Sequence, residues 1–515
     1  MIIKPGTRNK EPEPLYDHRM TIENPIQTMS KIANIILVFS LVLVSSCNRQ
    51  ETKENPEFSI ISQVVNDSSG PCYISVEDYP KERKSLPIGI FDSGTGGLAV
   101  LNTIYGLDSY NNNSHNSGSD GILDFNSERF IYLADEANMP YGRYDSEGKA
   151  DFLRELVIKD VRFLLGNSYY TSPVDSIAKY DKEAVKVIVI ACNTATAYGL
   201  KTVQEAVDYW GLDIRIMGII DAGSKVVLSD LVEPDDVIIG VLATEGTCSS
   251  GGYPKSIIKN FALQYPGKEI AVVQQAGIGL AGAIDGDINY VNTEASGPRD
   301  SQAYQGPDIA HPNYPIDTTL WNEYNFEGGN SLMTEYDEKG ELIHAQLNSV
   351  NNYIRYMVTH MLKNALHEFP DKELSRVILG CTHYPYFEEQ IKEHFLYLKG
   401  LNATYDALID ANIQFIDPSE SLATELYQYL TENELWGSDK NENSKFFISV
   451  PNTLLTENVI DEKGEFPYEY KYGRNINSSL QYVKLVPFSD EWINESIRNR
   501  MKLNIPYTYQ MIYGE

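Results

Sequence analysis

Residues 187–197 read VIVIACNTATA, and residues 377–387 read VILGCTHYPYF. Each stretch runs from a short apolar segment, rich in β-branched residues, into a small residue, a cysteine and a polar pair. Apolar runs of this kind are typical of parallel strands that are buried on both faces. The recurrence of the same order of features predicts two copies of one α/β unit.

Apolar runs and helical patterns alternate on either side of these stretches. The predicted strands are residues 88–91, 130–133, 185–190, 214–220, 237–242 and 377–379. Helical faces are predicted from apolar residues three or four positions apart, as at Leu200, Val203, Val207 and Trp210, at Phe387, Ile391 and Phe395, and along 347–361. The pattern predicts an α/β fold of two duplicated lobes, each with a parallel sheet, and ligands in the cleft at the carboxyl ends of the strands.

The chain divides by composition into five parts. We predict a lipoprotein signal at 1–47, whose start could equally be Met29, and a polar tether at 48–84. The first lobe is assigned to 85–215, completed by about 412–432, and the second to 216–411 with an aperiodic surface insertion at 286–344. Residues 433–515 form a tyrosine-rich extension that we predict to be β-prone, and 108–121 a surface loop.

The N-terminal region has the features of an export signal. Residues 32–46 read IANIILVFSLVLVSS, follow Lys31 and lead into Cys47. The apolar run is shorter than the about 20 residues that span a bilayer. Its ending resembles a bacterial lipobox, which implies cleavage and diacylation at Cys47. We therefore expect a lipid-anchored protein of the cell envelope, with an uncleaved anchor as one alternative and a cytoplasmic protein as the other.

Charge and cysteine content exclude several classes of protein. A formal charge of −30 is the opposite of what a nucleic-acid-binding protein carries. A small anionic substrate would therefore have to be held by local donors. The cysteines are Cys47, Cys72, Cys192, Cys248 and Cys381, too few for a disulfide scaffold and without the C-x-x-C spacing of zinc sites.

Two of these cysteines are placed for chemistry. Cys192 and Cys381 each follow a predicted strand and precede a helix, where backbone N–H groups favour a thiolate and bind carboxylates. Two such thiols in facing lobes suit racemisation, in which one base removes the α-proton and an acid on the opposite face returns one. Backbone donors at both helix ends could stabilise the charge that develops on the substrate carboxylate.

Five blocks resemble the motifs of glutamate racemases in the aspartate/glutamate racemase superfamily. They read IGIFDSGTGGLAVL (88–101), YLADEANMPYG (132–142), VIVIACNTATA (187–197), IGVLATEGT (239–247) and VILGCTHYPYF (377–387). The resemblance covers roughly 86–430 apart from the insertions. It implies the interconversion of L- and D-glutamate for peptidoglycan, without PLP, metal or nucleotide. A homodimer is one open arrangement, since the sequence does not fix the oligomeric state.

The resemblance also implies roles for particular residues. Cys192 and Cys381 would be the acid/base thiols, assisted by Asp92 and His383. Substrate would be bound by Asp92, Ser93, Tyr141, Gly142, Asn193, Thr194, Thr382 and His383.

The chain departs from the family in one segment and in its location. The family usually carries a glutamate where residues 273–286 read VQQAGIGLAGAIDG, and Ile284 and Asp285 stand there instead. We expect Asp285 to stand in for that carboxylate. Family members are ordinarily cytoplasmic, whereas this chain carries an export signal.

Other interpretations of the same residues stay open at this point. The two cysteines could be buried structural residues or a disulfide, His383 could bind a metal with Cys381, and Cys72 could pair with Cys248. The turn at Asp92 also resembles that of aspartic proteases, whose second carboxylate could come only from Asp221. At the level of function, the alternatives are a racemase of aspartate or another amino acid, and a non-catalytic envelope protein that binds amino acids or peptidoglycan.

Overall fold

The structure is a computed structural model of the chain. It describes residues 79–514 apart from short gaps at 232–235, 438–442, 457–458, 462–463, 478–479, 490 and 494, together with residues 74 and 77. All described residues belong to one compact unit, 60–515. The predicted signal and tether, with Cys47 and Cys72, lie outside the described residues. Among the residues that are described, no helix combines the length and apolarity needed to cross a bilayer.

Strands and helices alternate along most of the described chain. The strands are β1 Ile88–Asp92, β2 Phe130–Ala134, β3 Val187–Ile190, β4 Arg215–Gly218, β5 Val237–Ala243, β6 Ala271–Ala276, β7 Leu332–Tyr336, β8 Leu342–Leu347, β9 Glu373–Gly380, β10 Ile409–Ile416, β11 Lys445–Pro451 and β12 Val483–Pro487. The helices are α1 Leu98–Tyr105, α2 Ala150–Leu165, α3 Asn193–Trp210, α4 Ile219–Val226, α5 Glu245–Ser250, α6 Gly252–Gln264, α7 Leu280–Asp285, α8 Trp321–Tyr324, α9 Val350–Glu368, α10 Glu388–Leu401, α11 Ala403–Leu408, α12 Pro418–Glu432, α13 Thr453–Thr456, α14 Tyr468–Gly473, α15 Glu495–Asn504 and α16 Pro506–Tyr513.

Two sheets form two α/β lobes, so the predicted fold class is confirmed. The first sheet has the order β12-β11-β2-β1-β3-β4 and the second β10-β9-β5-β6. All neighbours are parallel except β12, which runs antiparallel to β11 at the edge. Helices cover both faces of each sheet, which is why the strands are apolar on both sides.

The predicted strands agree with the observed ones to within a few residues, with one exception. The apolar run 214–220 was predicted as a single strand, but β4 ends at Gly218 and α4 begins at Ile219. Only the first part of the run pairs with β3. Ile219 and Ile220 are instead buried side chains of an amphipathic helix. A short apolar run does not distinguish a buried strand from the start of a buried helix.

The insertion 286–344 was predicted to lie on the surface, and this was wrong for three of its tyrosines. Tyr290 and Tyr324 are buried in the core of the second lobe, and Tyr304 is also buried. The insertion also contributes β7, which pairs with β8 in a hairpin. Isolated aromatic anchors in a polar segment leave no periodic signal, so the packing could not be predicted from the sequence.

The C-terminal extension adds to the first lobe. β11 pairs in parallel with β2, and β12 extends that edge of the sheet. The two tyrosine-rich stretches, 467–473 and 505–514, were predicted to be β-prone but are helical, as α14 and α16. Pro506 occupies the first turn of α16, where its fixed φ favours a helix start. The local start signal prevails over the β propensity of tyrosine.

Candidate active site

One cleft collects all ten residues predicted to act on or bind the substrate. Its volume is about 910 Å³, measured out to its opening. The predicted residues that line it are Asp92, Ser93, Tyr141, Gly142, Cys192, Asn193, Thr194, Cys381, Thr382 and His383. The lining comes from turns that follow the carboxyl ends of strands in both sheets, as expected for an α/β fold.

Cys192 lies between β3 and α3, as the residue that caps the helix. Its backbone is extended, and its sulfur accepts a hydrogen bond from the backbone N–H of Ala195 at 3.4 Å. The thiol donates to the hydroxyl of Ser93 at 3.6 Å. Cys192 is a free cysteine with 5% of its surface exposed, and it faces the cleft from the first lobe.

Asp92 ends β1 beside this thiol. Its Oδ2 atom accepts a hydrogen bond of 2.6 Å from the backbone N–H of Gly97. Burial raises the pKa of Asp92, although the nearby charge of His383 lowers it in part. Burial, together with the neighbouring Asp92 carboxylate, also raises the pKa of Cys192 far above its ordinary value. Cys192 therefore rests as a thiol, the form that can donate a proton.

Cys381 faces the same cleft from the second lobe, directly after β9. It is also a free cysteine with 5% exposure. The Nδ1 atom of His383 lies 3.5 Å from its sulfur. On the other side of the imidazole, Nε2 lies 2.9 Å from Oδ2 of Asp285. The second thiol thus has an imidazole and a carboxylate behind it.

The charges of His383 and Asp285 stabilise each other. Burial works to lower the pKa of His383, but the Asp285 carboxylate and the hydrogen bonding around the imidazole outweigh it and raise that pKa well above the ordinary value. Burial works to raise the pKa of Asp285, but His383 and then Arg500 outweigh it and lower that pKa. The pair is therefore an imidazolium and a carboxylate at neutral pH, with the positive charge next to Cys381.

Asn193 and Thr194, at the start of α3, connect the two lobes. The Asn193 side-chain oxygen accepts a hydrogen bond of 2.7 Å from the hydroxyl of Tyr253. Its Nδ2 atom is buried and has no hydrogen-bond partner within the described part of the chain. The Thr194 hydroxyl lies 3.1 Å from those of both Thr244 and Thr247. An unpaired amide donor that lines the cleft suits the carboxylate of a ligand.

Tyr141 and Gly142 both line the cleft. The Tyr141 hydroxyl points to two buried carboxylates, donating to Asp160 at 2.8 Å and contacting Asp135. Because that hydroxyl is engaged, Tyr141 offers the cleft its ring and backbone only. Gly142 packs closely against Gly246 of the second lobe, where an added Cβ on Gly246 would come within 2.6 Å of the Gly142 carbonyl oxygen.

The cleft is also lined by residues that we did not predict. Arg143 donates to the hydroxyl of Tyr290 at 3.0 Å and to Gln305 at 3.3 Å. Glu245 accepts a hydrogen bond from Tyr314. Arg143, Glu245 and Tyr290 line the cleft. Arg143 directly follows one quoted motif block and Glu245 lies within another, so both could have been found there, whereas the insertion residues carry no sequence signal.

The remaining predicted residues lie apart from the cleft or outside the described chain. The side chain of Ile284 is buried in the core of the second lobe, and Asp285 alone reaches the site. Cys248 is a free cysteine that does not line the cleft. Asp221, the second carboxylate that an aspartic protease would need, pairs with Lys225 at 2.8 Å on α4.

Comparison with known proteins finds relatives that are named glutamate racemases. No protein-family model matches the chain. A glutamate racemase from Oceanobacillus iheyensis is 31% identical over 172 residues, which are 33% of this chain and 46% of that protein. One from Carboxydothermus hydrogenoformans is 26% identical over 360 residues, 70% of this chain and 85% of that protein. The chain thus spans about half the length of the first relative and most of the second.

A solved structure of a glutamate racemase isoform from Bacillus anthracis is similar with a TM-score of 0.41 and 22% identity, over 71% of this chain and 89% of that one. The Oceanobacillus and Carboxydothermus relatives are both named glutamate racemases, and the chain is similar to them in sequence over the stated ranges.

Proposed function

We propose that the protein interconverts L- and D-glutamate through Cys192 and Cys381, without a cofactor. The observation that carries the proposal is that two free thiols, one from each lobe, line a single cleft. Each thiol has its own polar support, Asp92 on one side and the His383–Asp285 pair on the other. This is the arrangement that two-base racemisation requires.

In the proposed reaction, one thiolate removes the proton from Cα of the bound amino acid. The electron pair of the broken C–H bond moves into the α-carboxylate, whose oxygens gain negative charge. Backbone N–H groups at the start of α3 and the free amide donor of Asn193 can stabilise that charge. The opposite thiol then gives a proton to the other face of Cα. At the end of the turnover the two sulfurs have exchanged protonation states, and the other enantiomer leaves.

The resting charges favour one starting state. Cys192 is a thiol, because burial and Asp92 disfavour its anion. The Nδ1 atom of the His383 imidazolium lies 3.5 Å from the sulfur of Cys381. In this state Cys381 acts first as the base and Cys192 as the acid. Asp285 lies in the segment 273–286, where the sequence departs from the family pattern. Its carboxylate is charged and gives the His383 imidazolium a partner. This argues against a binding protein that has lost its acid/base groups.

Glutamate is proposed as the substrate because the relatives at 26–31% identity carry that name. A second candidate, aspartate or another amino acid, is favoured by the insertion. Arg143 lines the cleft and is held by Tyr290 and Gln305 of the insertion, so a segment outside the five motif blocks contributes to the binding site. A link to the D-amino acids of peptidoglycan follows if glutamate is the substrate.

The test is deuterium exchange together with loss of optical activity. The reduced protein is incubated with L-glutamate in D2O, and circular dichroism and deuterium at Cα are followed. Loss of the signal with one deuterium per inverted molecule is expected. Neither exchange nor inversion with glutamate, and none with a panel of other amino acids, would refute the proposal. Activity with aspartate alone would select the second candidate.

Export is a separate part of the proposal. The apolar segment 32–46 and Cys47 support a lipid anchor that holds the enzyme in the cell envelope. Labelling with a palmitate analogue should mark the protein and be lost in Cys47→Ala. An unlabelled protein in the cytoplasm would contradict this part without affecting the proposed reaction.

A further inference from the structure

Helices α15 and α16, in the C-terminal extension, pack on the first lobe. α16 lies on α1, the helix that follows the Asp92 turn. The hydroxyl of Thr508 donates to the backbone oxygen of Leu98 at 3.2 Å. The side-chain oxygen of Asn102 accepts from the backbone N–H groups of Tyr507 and Thr508 at 3.0 and 3.3 Å. Met501, Ile505 and Tyr509 are buried in the core of that lobe. The helix pair is therefore a fixed part of the fold.

Arg500 extends from α15 to the second lobe. Its Nη2 atom lies 2.9 Å from Oδ1 of Asp285, and its Nη1 atom donates to the backbone oxygen of Ile284. The guanidinium carbon lies 5.9 Å from the centre of the Tyr386 ring. The side chains of Arg500 and Asp285 are 18% and 11% exposed. The contact is largely shielded from water, so its charge interaction is only weakly screened.

Asp285 thereby has one partner for each oxygen. Oδ1 faces Arg500 and Oδ2 faces Nε2 of His383, at 2.9 Å in both cases. Each carboxylate oxygen thus lies within ion-pair distance of one cationic side chain, and Nδ1 of the same imidazole lies 3.5 Å from the Cys381 sulfur. A continuous series of contacts leads from the C-terminal extension to the thiol.

We propose that Arg500 is a positioning residue for the Cys381 half of the reaction, acting through Asp285 on His383. This inference rests on the proposed function. The five motif blocks end before the extension begins, so the resemblance assigns Arg500 no role. The C-terminal extension thus contributes to the support of Cys381. It does so through Asp285, the residue that Arg500 contacts.

The charged groups around Asp285 determine how the loss of Arg500 would act. His383 and Arg500 favour the ionised carboxylate, whereas burial disfavours it. The Glu136 carboxyl group also interacts electrostatically with Asp285, and the Tyr386 side chain interacts with both Asp285 and Arg500. Removing Arg500 removes one of the two groups that lower the pKa of Asp285, so this pKa should rise. A protonated Asp285 could no longer support the imidazolium.

The experiment compares three variants of the full-length protein. In Arg500→Met, kcat should fall about tenfold and the acid limb of the pH–rate profile should move to higher pH, because Asp285 takes up a proton earlier. Arg500→Lys keeps the charge and should restore most of kcat and the acid limb. Arg498→Met removes a guanidinium from the same helix, where it lies 4.6 Å over the Tyr513 ring, and should leave both unchanged.

A second readout separates positioning from general loosening of the fold. Enantiomers have equal free energies, so kcat/KM is the same in both directions for every variant. The ratio of the two kcat values is not so constrained, and it should change in Arg500→Met because only one thiol is affected. Unchanged kcat and acid limb in Arg500→Met, or an equal loss in Arg498→Met, would overturn the inference.

The inference can also fail independently of the proposed function. The Asp285 carboxyl carbon can be titrated by NMR in protein labelled with ¹³C-aspartate and assigned with Asp285→Asn. Its midpoint should be higher in Arg500→Met than in the unsubstituted protein. Equal midpoints refute the role of Arg500 whether or not the protein is active, whereas absent racemisation in the unsubstituted protein refutes the proposed function.

Discussion

The Nε2 atom of His383 lies 2.9 Å from Oδ2 of Asp285 in the wall of the cleft. This contact places a carboxylate from the segment 273–286 against the imidazole. Burial alone would discharge both groups. Their mutual attraction prevails, raising the pKa of His383 and lowering that of Asp285.

The first prediction concerns stability. Asp285→Asn should lower the free energy of unfolding by about 3 kcal/mol, because one partner of a buried pair is left uncompensated. Because folding raises the pKa of His383, this group adds to the free energy of unfolding fully below about pH 6.5, and the contribution is lost as pH rises through the pKa of His383 in the folded protein. Because folding lowers the pKa of Asp285, the carboxylate adds to the free energy of unfolding above about pH 4, and this contribution is lost on further acidification. Urea unfolding at pH 5.5 and at alkaline pH measures the difference.

The loss should be largest between about pH 4 and 6.5 and smaller at alkaline pH. Asp221→Asn is the matched control, since it breaks an ion pair that is 44% exposed on both sides and should cost less than about 1 kcal/mol. Equal losses in the two variants at all pH values would contradict the charged state of the buried pair.

The second prediction concerns the two thiols. Cys192→Ala and Cys381→Ala should each lower racemisation by about 100-fold or more, because each removes one acid/base group. Both variants should keep the circular dichroism and thermal unfolding of the parent. Cys248→Ala is the control, since Cys248 is a free cysteine outside the cleft lining, and it should stay active. A fully active Cys192 or Cys381 variant would exclude the two-thiol mechanism.

The third prediction uses the reactivity of Cys192. Its pKa is raised by burial and by the Asp92 carboxylate. Asp92→Asn removes the second cause, so the pKa should fall and the thiolate fraction at pH 8 should rise. Alkylation of Cys192 by iodoacetamide, followed by mass spectrometry of its peptide, should be faster in the variant. Labelling of Cys248 serves as the internal standard, and an unchanged or slower rate at Cys192 would contradict the role of Asp92.

The fourth prediction concerns Glu136, between β2 and the cleft. Burial, aided by the negative charge of Asp285, raises the pKa of Glu136 to about 8, although Lys471 acts in the opposite direction. Its Oε2 atom is buried without a hydrogen-bond partner among the described residues. In the unfolded chain this group ionises near its ordinary value of 4.5, so folding becomes less favourable as pH rises from there to about 8.

Glu136→Gln should therefore leave stability unchanged at pH 4 and raise the free energy of unfolding by about 2 kcal/mol at pH 8. Denaturant titrations at the two pH values make the comparison. Glu335→Gln, on the exposed hairpin strand β7, is the control and should show no such dependence. Destabilisation of Glu136→Gln at pH 8 would show that the folded protein needs the charge.

The sequence predicts the two-lobed fold because its strands are buried on both faces. Runs such as 88–91 and 237–242 are apolar throughout, and the Gly/Thr and Cys turns follow them in the same order in both halves. The cleft residues Cys192 and Cys381 could be placed for the same reason, since turns after parallel strands meet at one edge.

The rest of the site could not be predicted, because it is built by long-range contacts between polar segments. Arg500 lies 215 residues from Asp285, and no local pattern marks either residue. Tyr290 reaches Arg143 from an insertion without periodicity. Tyr141 lines the cleft as predicted, but the engagement of its hydroxyl by the buried Asp135 and Asp160 leaves no signal in the sequence.

The pairing of β11 with β2 has a consequence for how the protein is made. Residues 445–448 lie beside residues 131–134, so the first sheet contains a strand from near the end of the chain. Closing so long a loop is slow, and the edge of β2 stays open during synthesis. The edge of the first sheet at β2 can therefore be completed only after residues 445–448 have been synthesised.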